Sequence, residues 1–177
     1  MSDKIRPVVS ALSLSVEAVE AAQGFHAGPS GTYRVNIPGM RLKLSGFSAK
    51  TPGAPMLEID VKPDIEDDPF VSMFKDRIMI PTAIMNPDQT EMNNYKLQCF
   101  AQSTSTNLPE LFEAIALAFD DFLHAEEVPD AVELEDFSNL EGGAIIKIEP
   151  ESTYYEGEIQ KTSPEQNSVK TWVVVTD

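Results

Sequence analysis

The sequence predicts a mainly β domain with helices, and three observations carry that prediction. Residues 40–48 (MRLKLSGFS) and 56–62 (MLEIDVK) alternate apolar and polar side chains at period two, as half-buried strands do. The stretch 169–176 (VKTWVVVT) is dense in β-branched and aromatic residues. Between these β-rich parts, residues 108–123 repeat apolar side chains at helical spacing.

Taken in chain order, residues 10–23 (SALSLSVEAVEAAQ) favour a helix that stops at Gly24, and Gly28, Pro29, Ser30 and Gly31 form a break. Residues 1–30 therefore read as an arm with one short helix, and residues 31–177 as the domain proper. Residues 32–37 (TYRVNI) read as a strand punctuated by Pro38-Gly39. In 40–48, Met40, Leu42 and Leu44 point one way, and Arg41, Lys43 and Phe47 the other. A turn-rich stretch, 50–55 (KTPGAP), leads to 56–62, where Leu57, Ile59 and Val61 share a face. The two alternating segments form a hairpin about a Pro-Gly turn.

After an acidic loop at 63–69, a third strand is expected around Ile78–Ile80, stopped by Pro81. Met92, Tyr95, Leu97 and Phe100 are partly in helical phase over 90–102. Asn107 is a good cap for the helix that follows, with Glu110 three residues on. Its stripe of Leu108, Leu111, Phe112, Ile115, Phe119, Phe122 and Leu123 reads as core. Residues 125–141 are acidic and loop-like, and Gly142-Gly143 leads into a strand at 144–149 (AIIKIE). With 169–176 the summed order is roughly three strands, helix, two strands. That order matches an OB-type five-stranded barrel with its helix between strands three and four, and other α+β sheets share it.

A chain of 177 residues is long enough to bury a core without staples, and 42% apolar residues with nine Phe exclude a disordered polymer. The single cysteine, Cys99, cannot form an intramolecular disulfide and reads as a small core residue in a reducing compartment. No stretch reaches the ~18 apolar residues of a membrane-spanning helix. Glu17 and Glu20 interrupt the apolar stretch after Lys4 and Arg6, which argues against a signal peptide. A cytoplasmic protein with no membrane contact is expected.

Net charge is −16, which taken alone argues against nucleic acid as a partner. The distribution changes that reading. Residues 1–62 carry seven Lys/Arg against five Asp/Glu, residues 63–142 three against eighteen, and residues 143–177 three against six. The acid is concentrated in the middle, so the two ends could share a near-neutral or basic face. The plainer alternative is that acidic loops keep the protein soluble.

Catalytic groupings are absent. His26 and His124 sit in no metal-ligand spacing, one cysteine cannot build a zinc site, and Gly142-Gly143 lacks the lysine of a phosphate loop. Asp64, Glu66, Asp67 and Asp68 lack the calcium-loop pattern and read as solvated loop. A non-enzyme with no cofactor and no metal is expected, with a nuclease built from dispersed carboxylates as the open alternative.

Single strands are held by cations that track the backbone and by rings that stack on bases. Arg41, Lys43, Phe47 and Lys50 offer that chemistry along one side of one strand; the alternative is a solvent-facing strand with Phe47 turned inward at Gly46. The second candidate runs from Pro150 to Lys170. It contains Tyr154, Tyr155 and Lys161, and if extended the two tyrosines face opposite ways, so one at most stacks. Trp172, within the apolar last strand, reads as core.

Several segments together resemble a family of small phage proteins from replication and recombination modules. They are Gly31-Thr32-Tyr33-Arg34-Val35, Gly53-Ala54-Pro55-Met56-Leu57-Glu58, the helix at 108–123, Leu140-Glu141-Gly142-Gly143 and Tyr155-Glu156-Gly157-Glu158. The resemblance spans about residues 31–176 and implies an OB-fold, single-stranded-DNA-binding protein. It further implies replication or recombination proteins as partners and leaves homo-oligomers open. The chain ends in Val173-Val174-Val175-Thr176-Asp177, without the acidic tail common among phage strand binders. Two alternatives remain: an acidic protein-interaction module, such as a DNA mimic or inhibitor, and an assembly protein docking through the 10–23 helix.

Overall fold

The computed structural model describes residues 27–46, 52–68 and 70–175. The helix expected at 10–23 lies outside them. The described chain is mainly β with two helices. The strands are β1 (Gly31–Ile37), β2 (Met40–Leu44), β3 (Pro55–Pro63), β4 (Phe74–Met79), β5 (Val132–Glu133), β6 (Leu140–Glu149), β7 (Ser152–Glu156), β8 (Ile159–Ser163) and β9 (Gln166–Val173). Helices α1 (Pro87–Thr104) and α2 (Leu108–His124) connect β4 to β5.

All strand pairings are antiparallel. β1 and β2 pair one after the other with the same neighbour: Asn36 lies opposite Lys62, then Met40 opposite Ile59. The register slips by one residue across Pro38-Gly39, where Asp60 N–H donates to the Gly39 carbonyl at 3.0 Å. That extra residue is a bulge, and it explains why Val35 and Ile37 point into the core from β1 but Met40 and Leu42 from β2. β5 and β6 flank the same continuous stretch on its other side, β5 against β2 and β6 against β1. The sheet therefore runs β4, β3, β1 with β2, β6 with β5, and β9.

No backbone ladder joins β4 to β9 among the described residues. The two end strands nevertheless touch, and Trp172 Nε1 on β9 donates to Asp76 Oδ2 on β4 at 2.9 Å. Trp172 is buried edge-on against Phe100 of α1, with centroids 5.0 Å apart. Burial pushes the Asp76 carboxyl above its usual range, against the bond from Trp172. The third strand is thus longer than the apolar run Ile78–Ile80, because one of its inward positions is held by a carboxylate.

The hairpin of residues 40–44 and 55–63 forms as expected, with Arg41 opposite Glu58. Leu57, Ile59 and Val61 are fully buried. Asn107 caps α2 by accepting from Glu110 N–H at 3.0 Å, and Leu111, Ile115, Ala118 and Phe122 are its buried stripe, whereas Phe112 and Leu123, expected in the core, lie on the helix's exposed side. α1 begins in a capping box between Asn86 and Gln89, with Pro87 in its first turn. Its last turn rests on β6, where Ser103 Oγ accepts from Gly143 N–H at 2.8 Å and donates to the Gly143 carbonyl at 2.7 Å. A Cβ on Gly142 would stand 2.9 Å from Ser103 Oγ and Thr104 Cγ2, so the paired glycines allow helix and strand to meet. Cys99 is half-buried against the core. Among the described residues no helix is long and apolar enough to cross a membrane.

Candidate nucleic-acid interface

The inward positions of β2, β3 and β4 are filled by core residues and, on β4, by Asp76, so alternation sends the intervening polar side chains to the outer face. Register aligns them in rows. Glu133, Arg41, Glu58 and Arg77 lie side by side across β5, β2, β3 and β4. Asp60 and Lys75 form the row on one side, and Lys43, Met56 and Met79 the row on the other.

Glu58 sits at the centre and is only 1% exposed, because four cations close over it. Arg41 Nη1 lies 3.0 Å from its carboxylate, Arg77 Nε 3.3 Å, Lys75 Nζ 3.3 Å and Lys43 Nζ 3.7 Å. Burial pushes the Glu58 carboxyl up, but the bonds from Arg41 and Arg77 and the nearby Lys43 charge outweigh it and hold the group below the usual carboxylate range. Arg41 also meets Asp60 Oδ2 at 2.5 Å through Nη2 and Glu133 Oε1 at 2.7 Å through Nε. Its bonds to Asp60, more than those to Glu133 and Glu58, raise its already high pKa against the effect of burial.

These contacts divide the cations by role. The Arg41 side chain is 13% exposed and its fork is spent on three carboxylates, so it braces the face. Lys43, Lys75 and Arg77 are 33%, 48% and 58% exposed and present their charge outward. Four cations against Glu58, Asp60 and Glu133 leave this ion-paired cluster one charge positive, in a chain of net charge −16. Between Lys96 and Lys147 there is no Lys or Arg at all, and the acid of α2 and the loop after it meets this layer at Glu133, which lines one cavity with Asp120, Asp121, Glu127 and Glu135.

Arg41 and Lys43 therefore come together with Lys75 and Arg77, two residues that sequence reasoning missed. The alternation of FKDRIM over 74–79 could have found them, had the inward Asp76 not masked it. Phe47 and Lys50 lie outside the described residues. Tyr154, Tyr155 and Lys161 sit together on a different element, the two-stranded ribbon of β7 and β8. Tyr154 lies opposite Lys161 and Tyr155 opposite Gln160, which places the two rings on opposite faces of the ribbon. Both rings are exposed, and the Lys161 ammonium pairs with Glu156. Gly157, at φ 65°, makes the tight two-residue turn at the tip. Among the described residues no three His, Cys, Asp or Glu side chains converge as metal ligands, the acidic loop at 64–68 included.

No family model, no curated protein and no solved structure matches this chain.

Proposed function

We propose that this is a single-stranded-DNA-binding protein of OB type, acting without strong sequence preference in phage replication or recombination. The observation that carries the reading is the cationic layer of Lys43, Lys75 and Arg77 over Glu58, on an outer sheet face of a strongly acidic protein. Strand order supports it. With β1 and β2 taken as one bent strand, the sequence of five strands is β1–β2, β3, β4, β6 and β9, and the helices fall between the third and fourth. β4 and β9 run in the same direction and meet at the seam, as the third and fifth strands of such a barrel do. Oligonucleotides bind that barrel on its second and third strands and on the loops joining strands one to two and four to five. Those parts correspond here to β3 and β4, to residues 45–54 with Phe47 and Lys50, and to residues 150–165 with Tyr154, Tyr155 and Lys161.

In this reading the layer neutralises phosphates while rings from the two loops stack on bases, each stack worth roughly 1–3 kcal/mol. The test is fluorescence anisotropy of a labelled oligo-dT at low and moderate salt. Binding at micromolar or tighter affinity, weakening with salt and weakened again in K75A/R77A, is the expected result. Absence of binding at low salt refutes the reading and favours an acidic partner-binding protein.

A further inference from the structure

A second group of cations lies apart from the outer face. Lys96 of α1, Lys147 of β6 and Lys170 of β9 line one cavity of about 450 Å³, open beside the seam of β4 and β9. Three separate elements deliver these lysines, with Lys170 placed at the register shift between β6 and β9. Lys96 and Lys170 make no hydrogen bond or ion pair among the described residues, and Lys147 reaches only Glu149, at 3.9 Å. The one carboxylate in the wall is Asp76, which is turned to Trp172. The Asp76 charge acts on Lys96 and Glu149 reaches Lys147, so three lysines against two carboxylates leave the group net positive, and a bound anion relieves that excess. The same cavity carries the exposed ring of Tyr95 and has Trp172 in its wall.

Cations beside an exposed aromatic ring, in a cavity within the usual range of small-ligand sites, are the chemistry that holds one nucleotide. We propose that this cavity is a nucleotide-binding subsite, with a phosphate on Lys96, Lys147 and Lys170 and a base against Tyr95. The ligand class rests on the strand-binding reading, but the residues are different ones. The nucleotide is either free or one unit of a bound strand, and both supply the same phosphate and base.

Trp172 is the chain's single tryptophan, so its emission reports on this cavity directly. The experiment titrates the intact chain and its K96A/K170A and Tyr95→Leu variants with dTMP, inorganic pyrophosphate and oligo-dT. Trp172 emission and oligonucleotide anisotropy are followed together. All three substituted residues are exposed, and far-UV circular dichroism confirms that each variant is folded. A saturable Trp172 response to dTMP that weakens at least tenfold in K96A/K170A assigns the site to free nucleotide. No response to dTMP, but an oligo-dT response that is lost in K96A/K170A with a log–log salt slope lower by roughly 1–2, assigns it to a strand. Unchanged emission and affinity in K96A/K170A with every probe overturns the proposal. Oligo-dT binding that K75A/R77A weakens, with no probe affected by K96A/K170A, would leave the outer-face reading standing while this one falls.

Discussion

Replacing Arg41 separates a bracing role from a ligand-binding one. Arg41→Met keeps much of the volume and removes the fork that joins Glu58, Asp60 and Glu133. Glu58 retains Lys43, Lys75 and Arg77, but Asp60 loses its ion-pair partner while staying largely buried. Removing one member of a buried ion pair typically costs about 3–5 kcal/mol, because the partner's charge is left uncompensated. That is a large part of the ~5–15 kcal/mol by which a domain is stable. Arg77→Ala removes a contact on a mostly exposed side chain, and such pairs are worth at most about 1 kcal/mol. Urea unfolding followed by Trp172 emission should therefore place R41M several kcal/mol below wild type and R77A close to it. Arg41→Lys should fall between, since an ammonium keeps the charge but not the bidentate geometry. An R41M chain within about 1 kcal/mol of wild type would refute the bracing argument and return Arg41 to the surface cations.

Removal of Lys75 and Arg77 together should lower the magnitude of the salt slope for oligo-dT by roughly 1–2, measured by anisotropy between low and moderate salt. Glu58, held below its unfolded pKa, contributes stability that is complete above the unfolded value and lost as pH falls through its folded one. Glu58→Gln should therefore flatten the acid limb of a stability-versus-pH curve from urea melts. Asp76 acts in the opposite sense: its raised pKa makes the native state hold a proton longer, so stability declines as pH rises between the unfolded and folded values. Asp76→Asn should remove that decline in the same melts while keeping an acceptor for Trp172. Gly143→Ala places a Cβ 2.2 Å from Val175 Cγ2 and 2.7 Å from the Val173 carbonyl, so overpacking of about 1–3 kcal/mol is expected in a thermal or urea melt.

Much of the fold was legible because it rests on local periodicity. The inward faces of residues 40–44 and 55–63, the Asn107 cap and the Leu111, Ile115 and Phe122 part of the α2 stripe needed only the order of side chains, since burial of one face dictates period two or 3.6, while Phe112 and Leu123 of that stripe are exposed. Other elements were obscured by residues that only distant contacts satisfy. Asp76 interrupts the alternation of β4, and its partner Trp172 lies 96 positions away. α1 buries Asn93, whose amide donates to the Gln89 carbonyl at 2.9 Å, so its apolar phase was weak although its capping box was in plain view. β7 and β8 are exposed on both faces and carry no alternation at all.

By itself the sequence determined that the chain folds around a β core, which stretches face inward, and that Arg41 and Lys43 face outward together. Tertiary structure alone decided what those cations do. Pairing brought Glu58 under Arg41, Lys43, Lys75 and Arg77 and turned Arg41 from a surface charge into a brace. The same folding gathered Lys96, Lys147 and Lys170 from three elements into one cavity. Alternation tells which side of a strand a residue takes, but charge interactions fall off with distance. Which charges become neighbours depends on strand order and register, which are set by contacts far apart in the chain.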